Sequence, residues 1–285
     1  MHKLIGPKTI RSAIRWASKS CEQISESSKL DSELLLAFCL QKPRSYLYSW
    51  PEAILAESQW QQFQQLINLR LKPTPVAYLL GEKEFFSLQL FTTAETLVPR
   101  PETELLVDIA LDILRSNPTA SVLDLGTGTG AIAIALKNTQ PQLEVIATDF
   151  SPETTAITQK NINLHQLDIE LHISDWYQQL NPAKQFDCIV SNPPYIPAND
   201  PCLKHSDLPA EPISALCPGE TGLEALEIII SQASLFLKPK AFLILEHGYD
   251  QQYSVENLLQ QAKFNHIQCH LDFNQLPRVS CAQLP

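Results

Sequence analysis

The segment SVLDLGTGTGAIAIAL, residues 121–136, joins a short apolar run to a second apolar run through three alternating glycines. The first run, Ser121–Leu125, has the length of a buried strand, and the second, Ala131–Leu136, is predicted to be a helix. Glycines that follow a strand let the backbone turn tightly and approach a ligand closely. This segment therefore predicts the first strand, loop and helix of a doubly wound parallel sheet with a ligand at its carboxyl edge.

The rest of the C-terminal two thirds continues the same alternation. Further strands are predicted at Leu143–Thr148, Ile169–Ile173, Phe186–Val190 and Ala241–Glu246, and helices at Pro152–Leu164, Gly222–Leu237 and Val255–Ala262. A last strand pair is predicted within His266–Val279. Strands that alternate with helices are typical of an α/β fold with a parallel sheet.

The N-terminal part has a different residue pattern. Residues 1 to about 75 contain a single glycine, and apolar residues recur there at helical spacing, as in Ile10, Ile14 and Ala17. Asp31 or Ser32 is predicted to cap a helix over Glu33–Gln41. The following segment, Pro75–Phe91, is predicted to form two strands, Tyr78-Leu79-Leu80-Gly81 and Phe85–Phe91, or a hairpin-like linker.

Charge and cysteine content narrow the possible classes of protein. The 21 Lys and Arg residues against 31 Asp and Glu residues give a formal net charge of −10, which disfavours wrapping of duplex nucleic acid. The seven cysteines are scattered and form no CxxC pair, which favours the reducing cytoplasm. The longest apolar run, Leu34–Leu40, is far below the ~18 residues that span a bilayer. We therefore expect a cytoplasmic protein that binds neither membranes nor, stably, nucleic acid.

The glycine loop Gly126-Thr127-Gly128-Thr129-Gly130 has the spacing G-x-G-x-G. Nicotinamide dinucleotide sites use G-x-G-x-x-G, so that alternative is disfavoured. The spacing is similar to that of the S-adenosylmethionine site in Rossmann-like methyltransferases. A generic tight turn between a strand and a helix is the alternative that the loop by itself leaves open.

Acidic residues follow the second and third predicted strands of the sheet. Asp149 comes nineteen residues after Gly130, where a carboxylate can accept hydrogen bonds from both ribose hydroxyls of an adenosine. Ser151 is an adequate cap for the next helix, which favours the ribose role for Asp149 over a capping role. Asp175 and Trp176 follow the third strand, where an adenine ring would meet an acceptor and an aromatic face. A surface Asp-Trp pair is the alternative there.

The motif Asn192-Pro193-Pro194-Tyr195 follows the strand predicted at Phe186–Val190. Its two prolines remove two backbone donors and fix φ, so the segment is stiff. The Asn192 side chain and the Pro193 carbonyl can both accept hydrogen bonds from one planar NH2 group, against which Tyr195 can lie. The motif thus predicts a nitrogen held with its lone pair toward a methyl donor, and a proline-rich exit turn is the alternative. The segment His266–His270 holds metal-ligand residue types on opposite faces of a strand, so we expect no metal site.

The chain resembles the release factor glutamine methyltransferases, which modify the glutamine of the Gly-Gly-Gln tripeptide in class 1 peptide chain release factors. The matching blocks are Val98–Glu104, Leu123–Gly130, Val190–Ile196, Glu211-Pro212 with Ala215-Leu216, and Glu246-x-Gly248. The resemblance covers roughly residue 76 to the end, and it departs from the family at Phe273–Arg278, which lacks a glycine-containing turn.

The resemblance implies a cofactor, a reaction and site residues. The cofactor is S-adenosyl-L-methionine, and the expected cofactor-binding residues are Gly126, Thr127, Gly128, Thr129, Gly130, Asp149, Asp175, Trp176 and Asn192. The expected substrate-binding residues are Asn192, Pro193, Pro194 and Tyr195, of which Asn192, Pro193 and Tyr195 are predicted to be catalytic. Methyl transfer to a glutamine amide is the expected reaction, with an exocyclic-amine methyltransferase on RNA or DNA as the alternative. A non-catalytic S-adenosylmethionine-binding protein is disfavoured, since it needs no clamp for an amide.

The compositional break near Pro73-Thr74-Pro75, together with the resemblance, predicts a domain organisation. We expect a helical substrate-recognition domain over residues 1–75, a β linker over 76–97 and a class I Rossmann-like methyltransferase domain over 98–285. The expected partners are class 1 release factors, and the expected state is a monomer.

Overall fold

The computed structural model describes residues 9–285 and divides the chain into two compact units. The first unit ends at Gly81 and also includes the later segment Lys204–Ala210. The second unit consists of Glu82–Leu203 and Glu211–Pro285. The predicted domain boundaries stay predictions, and residues 1–8 of the predicted N-terminal domain lie outside the described residues.

The first unit is a helical bundle, as the spacing of its apolar residues predicts. Its helices are α1 (Ile10–Cys21), α2 (Ser28–Leu40), α3 (Arg44–Ser49), α4 (Glu57–Arg70) and α5 (Val76–Leu80). Phe63 and Ile67 of α4 are fully buried in its core. The rings of Trp16 and Trp60 meet edge to face there, with centroids 4.9 Å apart.

The predicted start of the second helix is wrong. α2 begins at Ser28, five residues before Glu33, so Asp31 lies in its first turn rather than at its cap. The Asp31 carboxylate instead accepts hydrogen bonds from the hydroxyls of Ser25 at 2.7 Å and Ser27 at 2.9 Å. The Asp31 side chain is thus hydrogen-bonded to neighbouring hydroxyls and also pairs with Arg70, so it does not cap a helix.

Of the predictions for Pro75–Phe91, the strand at Tyr78–Gly81 is wrong, whereas the alternative of a hairpin-like linker agrees with the structure. The apolar run over Val76–Leu80 is α5, which ends at Gly81 with a φ of 77°. The two strands that do form are β1 (Glu82–Phe85) and β2 (Leu88–Phe91), and they pair antiparallel around a two-residue turn. Short apolar runs do not distinguish a strand from a buried helical turn by periodicity alone.

The second unit contains the predicted α/β sheet. Its strands are β3 (Ser121–Leu125), β4 (Glu144–Asp149), β5 (Glu170–Ile173), β6 (Phe186–Ser191), β7 (Leu237–Glu246), β8 (Asn265–Leu271) and β9 (Pro277–Gln283). Their order in the sheet is β5-β4-β3-β6-β7-β9-β8. The first five strands in this order are parallel to one another, and β9 is antiparallel to both of its neighbours. The helices of the unit are α6 (Glu104–Leu114), α7 (Ala131–Thr139), α8 (Pro152–Leu164), α9 (Glu224–Phe236) and α10 (Gln252–Gln261).

The central strand β3 contributes to an apolar core on each face of the sheet. Val122 packs into the cluster that holds α6 and α7, whereas Leu123 and Leu125 pack into the cluster that holds α9 and α10. This is the two-residue alternation of a strand covered on both faces. The chain leaves β3 toward β4 on one side and returns to β6 on the other, so a topological switch point lies at the carboxyl end of β3.

The last strand pair forms where it is predicted and extends to Gln283. In place of a glycine-containing turn, Gln275 adopts a φ of 62°. The Asp272 carboxylate accepts hydrogen bonds from the backbone N–H groups of Asn274 at 2.8 Å and Leu276 at 3.1 Å. Within residues 9–285, no group of three metal-ligand side chains occurs, and no helix is long and apolar enough to cross a membrane.

A buried ion-pair cluster within the first unit is centred on Arg70. Its Nε lies 2.9 Å from Asp31 Oδ2, and its Nη1 lies 2.7 Å from Asp207 Oδ1. The side chains of Arg70 and Asp31 are 3% and 8% exposed. Asp207 belongs to Lys204–Ala210, so this cluster attaches that segment to the helices of the first unit.

Replacing Arg70 by Met is expected to lower the free energy of unfolding of the first unit by ~3–5 kcal/mol, because it leaves the buried Asp31 charge without an oppositely charged partner. Urea denaturation followed by tryptophan fluorescence measures this change, since Trp16, Trp50 and Trp60 all belong to the first unit. The control is Arg11→Met in the same unit, whose ion pair with Glu52 is exposed and is expected to contribute less than ~1 kcal/mol. Equal stability of the two variants would contradict the role of the cluster.

Candidate active site

A cavity opens at the carboxyl ends of β3, β4 and β6. The end of β4 lines it with Asp149, and the loops that follow strands line it with Gly126, Thr127, Gly128, Thr129, Trp176, Asn192 and Pro194. The segment before α6 lines it with Glu95, Thr96, Leu97, Pro99, Arg100 and Thr103. Four residues of the predicted site are outside this lining, namely Gly130, Asp175, Pro193 and Tyr195.

The glycine loop depends on backbone conformations that favour glycine. Gly126, Gly128 and Gly130 have φ values of 66°, 57° and 85°. A Cβ at Gly130 would lie 2.9 Å from Ile134 Cδ1, so this position serves close packing at the start of α7. A Cβ at Gly128 would meet no atom within 4 Å, so the space beside Gly128 is open to a ligand.

Buried side chains of β3 and α8 hydrogen-bond to the glycine loop. Asp124 Oδ2 accepts hydrogen bonds from the Thr127 hydroxyl at 2.6 Å and from the Ala133 N–H at 3.2 Å. Burial raises the pKa of Asp124 to about 7, against these two hydrogen bonds, which lower it. From α8, the Thr158 hydroxyl donates to the Gly128 carbonyl at 2.6 Å, and Asn161 Nδ2 donates to the Thr129 carbonyl at 2.8 Å. The loop carbonyls are thereby turned toward α8.

Asp149 ends β4 with its carboxylate at the cavity. Its Oδ2 accepts a hydrogen bond from the Gly128 N–H at 3.0 Å, and its Oδ1 accepts one from the Ser151 N–H at 3.1 Å. Burial raises the pKa of Asp149, while these backbone hydrogen bonds lower it. Each carboxylate oxygen keeps capacity for a further hydrogen bond. The Ser151 side chain caps α8 by accepting from the Thr154 N–H at 3.1 Å, as predicted.

Asp175 and Trp176 are consecutive in the chain, but only Trp176 lines the main cavity. Trp176 has a φ of 51°, and its ring lies over the glycine loop, 3.3 Å from the position of a Cβ on Gly126. Asp175 is exposed, and its carboxylate accepts a hydrogen bond from Gln178 Nε2 at 2.7 Å. Asp175 lines an adjoining cavity, which Trp176 and Pro194 also line.

Asn192 follows the last residue of β6, and a hydrogen bond orients its side-chain amide. Its Nδ2 donates to Thr103 Oγ1 at 3.1 Å. Its Oδ1 accepts no hydrogen bond from the part of the chain that the structure describes. The cavity wall therefore offers an oxygen that can accept a hydrogen bond. Of the two prolines that follow, Pro193 is buried and Pro194 is part of the lining.

Tyr195 lies beside the cavity lining rather than in it. Its hydroxyl donates a hydrogen bond to Glu246 Oε1 at 3.2 Å, and Arg278 Nη1 lies 3.5 Å from the same hydroxyl oxygen. Burial raises the pKa of Tyr195, and it raises the pKa of Glu246 to about 7. The Tyr195 side chain therefore belongs to a buried polar network at the end of β7.

Several side chains at the site were not predicted as site residues. Arg100 pairs with Glu211 Oε1, while Glu211 Oε2 accepts a hydrogen bond from the Val98 N–H at 3.1 Å. The Glu211 side chain is fully buried, and Arg100 is one-third exposed at the cavity. These residues, with Thr103 and Glu246, fall in sequence blocks that carry the family resemblance. The sequence feature that could have identified these site residues is the presence of charged and hydroxyl side chains within such blocks.

Comparison with known proteins assigns both units of the chain. A PrmC N-terminal domain model matches residues 12–81, and a Methyltransferase small domain model matches residues 103–202. A release factor glutamine methyltransferase of Shewanella oneidensis is 41% identical over 273 residues, which are 95% of this chain and 94% of that protein. One of Pseudomonas aeruginosa is 44% identical over 260 residues, which are 91% of this chain and 94% of that protein.

A solved structure confirms the predicted class I methyltransferase fold. It is the 16S rRNA N2 G1207 methyltransferase of T. thermophilus in complex with AdoMet and guanosine, with a TM-score of 0.53 and 21% identity. The match covers 72% of this chain and 50% of that chain. Since relatives more than 40% identical extend over more than nine-tenths of its length, the chain belongs to the release factor glutamine methyltransferase family.

Proposed function

We propose that this chain transfers a methyl group from S-adenosyl-L-methionine to the side-chain amide nitrogen of a glutamine in class 1 peptide chain release factors. The glutamine is that of the Gly-Gly-Gln tripeptide. The observation that carries the proposal is the free Asn192 Oδ1 at the wall of a cavity that the glycine loop also lines. The names of the relatives, release factor glutamine methyltransferase, support the same substrate.

The residues of the cavity fit the proposed cofactor. The backbone of Gly126–Thr129 has open space beside Gly128, and Asp149 keeps hydrogen-bonding capacity for ribose hydroxyls. The rings of Trp176 and Phe150 offer aromatic faces for an adenine. When bound, S-adenosyl-L-methionine supplies an electrophilic methyl group on a sulfonium. The predicted contact from Asp175 requires the adenine to extend past Trp176 into the adjoining cavity.

The chain's own part in the reaction is to hold the glutamine amide in place. Asn192 Oδ1 accepts a hydrogen bond from one amide hydrogen. The carbonyl of Pro193, a buried residue outside the cavity lining, is predicted to accept one from the other. An amide nitrogen is a poor nucleophile, so alignment toward the methyl group is the main requirement. As the nitrogen becomes positive, both hydrogen bonds strengthen, and they therefore stabilise the transition state more than the ground state.

A protein substrate is favoured over the alternative of an exocyclic amine in RNA or DNA. The net charge of −10 opposes close approach to a phosphate backbone. A non-catalytic S-adenosylmethionine-binding protein is disfavoured as well, since such a protein does not need a hydrogen-bond acceptor that is oriented toward the amide of a second molecule.

The proposal also includes the cellular compartment and the oligomeric state of the protein. All seven cysteines, which lie within the described residues, are free thiols, and this supports a reducing compartment such as the cytoplasm. The monomeric state, the lack of stable nucleic-acid binding and the substrate-recognition role of residues 1–75 stay predictions.

The proposal is tested by incubating the protein with methyl-labelled S-adenosyl-L-methionine and a purified class 1 release factor. Peptide mass spectrometry then locates the label. We expect one methyl group on the glutamine of the Gly-Gly-Gln tripeptide. The matched control is a release factor with glutamate at that position, which has the same shape but no amide hydrogens and should take up no label. Label in RNA or DNA, or at another side chain, would overturn the proposal.

Replacing Asp149 by Ala is expected to weaken S-adenosyl-L-methionine binding, because it removes a charged acceptor for ribose hydroxyls. Hydrogen bonds to charged groups contribute ~1.5–3 kcal/mol, so the dissociation constant should rise roughly 10- to 150-fold. Isothermal titration calorimetry measures it, with Asp112→Ala on the exposed face of α6 as the control. An unchanged affinity in Asp149→Ala would remove Asp149 from the proposed cofactor site.

Replacing Asn192 by Ala is expected to lower kcat by roughly 100-fold or more, the loss typical for one preorganised hydrogen-bonding group, while cofactor affinity changes much less. Asn192→Asp is expected to retain little activity, because its charge must be desolvated at the cavity. Steady-state kinetics with the release factor, together with calorimetry of cofactor binding, separate the two effects. Methylation by Asn192→Ala at near the wild-type rate would contradict the proposed amide clamp.

A further inference from the structure

A groove of about 640 Å³ lies among α1, α2 and α3 of the first unit, and we call it the α1 groove. Its lining includes the apolar residues Ile14, Leu47 and Pro51. Leu47 is buried, whereas Ile14 and Pro51 are partly exposed. The groove therefore offers apolar surface to a ligand, and none of its lining residues belongs to the candidate active site.

Four cationic side chains line the α1 groove, and three of them come from one face of α1. Arg11, Arg15 and Lys19 follow one another at intervals of four residues, which places them on the same side of a helix. The fourth is Lys29 of α2. All four residues are exposed, so their charges are accessible to a ligand in the groove.

Neighbouring carboxylates offset part of this positive charge. Arg11 Nε lies 2.9 Å from Glu52 Oε1. The buried Glu33 lies 3.9 Å from Lys29 Nζ, and it also lies 3.1 Å from Arg44 Nη2, outside the groove. Each of these two carboxylates is therefore already paired with a cation of the first unit.

Arg15 and Lys19 are the cations of the groove that remain available to a ligand. Neither forms an ion pair within residues 9–285. Glu22 is the other acidic residue of the lining, and one carboxylate among these cations leaves the groove positive. With a rise of ~1.5 Å per residue, Arg15 and Lys19 are ~6 Å apart along α1, so two carboxylates can pair with them at the same time.

Charge is distributed unevenly along the chain, and the groove lies in its basic part. Residues 1–81 contain 10 Lys and Arg residues against 6 Asp and Glu residues, whereas residues 82–285 contain 11 against 25. A local patch of one sign attracts a partner of the opposite sign and fixes where it binds. The acidic remainder of the chain repels the same partner, so an acidic ligand is directed to the α1 groove.

Building on the proposed function, on which this inference rests, we propose that the α1 groove binds an acidic segment of the release factor that is distinct from the Gly-Gly-Gln tripeptide. Carboxylates of this segment pair with Arg15 and Lys19, and an apolar side chain between them packs against Ile14 and Leu47. These contacts involve no reacting atom. The groove therefore raises the affinity for the whole release factor and leaves the chemical step unchanged.

A protein segment is favoured over RNA as the occupant of the α1 groove. RNA carries a phosphate at every nucleotide and is bound by grooves of cations along its backbone, and a carboxylate such as that of Glu22 opposes this. The bases of single strands stack on aromatic rings, whereas the apolar lining beside Tyr48 is aliphatic. The Tyr48 hydroxyl also donates to the buried Glu33 carboxylate at 2.7 Å.

The test reverses two charges of the groove in a double variant, Arg15→Glu with Lys19→Glu. The matched control, Lys42→Glu with Lys72→Glu, reverses two exposed charges of the same unit outside the groove and gives the chain the same net charge. The groove variant should raise the Kd and the KM for the release factor roughly 5- to 30-fold, because two exposed ion pairs become repulsive contacts. Its kcat, and its Kd for S-adenosyl-L-methionine, should stay within about twofold of wild type.

The control and the ionic strength separate binding at the groove from an effect of net charge. The control variant should keep the Kd and the KM for the release factor within about twofold of wild type. Raising the salt concentration should weaken binding of the release factor more in wild type than in the groove variant, because salt screens the exposed pairs. Equal increases of KM in the groove and control variants would overturn the inference.

Carbodiimide cross-linking identifies the partner residue without any variant. This reagent joins a lysine amine to a carboxylate that it contacts. In the wild-type complex, peptide mass spectrometry should find Lys19 or Lys29 linked to an Asp or Glu residue of the release factor. Links at Lys42 or Lys72 with none in the groove would overturn the inference. A groove variant that loses affinity for an RNA oligonucleotide but not for the release factor would overturn it as well.

Separate measurements of binding and methylation distinguish failure of this inference from failure of the proposed function. A release factor that is methylated, but binds to wild type and to the groove variant with equal Kd, would overturn only the inference. A release factor that binds at the α1 groove and takes up no methyl group would overturn only the proposed function.

Discussion

Parallel pairing of β3 with β4 on one side and β6 on the other is the constraint on which the candidate site depends. Leu125 at the end of β3 is in register with Thr148 of β4 and with Ser191 of β6. The residues that follow these strand ends therefore start at one edge of the sheet, although Gly126 and Asn192 are 66 positions apart in the chain. A shift of one residue in either pairing would turn the side chains to the opposite face and separate them.

Buried hydrogen bonds then turn this proximity into a defined geometry. Asp124 holds the glycine loop, Glu211 holds the Val98–Arg100 segment, and Thr103 orients the amide of Asn192. Each bond lies where an unpaired polar group is costly, so the alternative arrangements are disfavoured. The cavity is consequently lined by groups whose donors and acceptors face fixed directions before any ligand binds.

Local patterns in the sequence predicted most elements of the fold. The helix predicted at Pro152–Leu164 has those bounds in the structure, and the glycine loop lies between a strand and a helix as expected. In other places, the role of a side chain depends on a partner that is distant in the sequence. Asp31 was predicted to cap a helix because nothing local reveals its ion pair with Arg70, 39 residues later.

The same limit applies to the candidate site. The motif that begins at Asn192 was recognisable because its prolines act locally on the backbone. The hydrogen bond from Asn192 to Thr103 spans 89 residues, and that from Tyr195 to Glu246 spans 51, so no local pattern reveals them. The sequence predicted which residues meet at the sheet edge, but the directions of their hydrogen bonds depend on the packed structure.

In the proposed mechanism, Asn192 presents a fixed oxygen to the amide of a glutamine. A crystal structure of the protein with S-adenosylhomocysteine and a release factor tests it most directly. We predict a distance of ~2.7–3.2 Å between Asn192 Oδ1 and the glutamine Nε2, with Asn192 Nδ2 still hydrogen-bonded to Thr103. A glutamine held by other groups, or an Asn192 amide with its nitrogen toward the substrate, would contradict this mechanism.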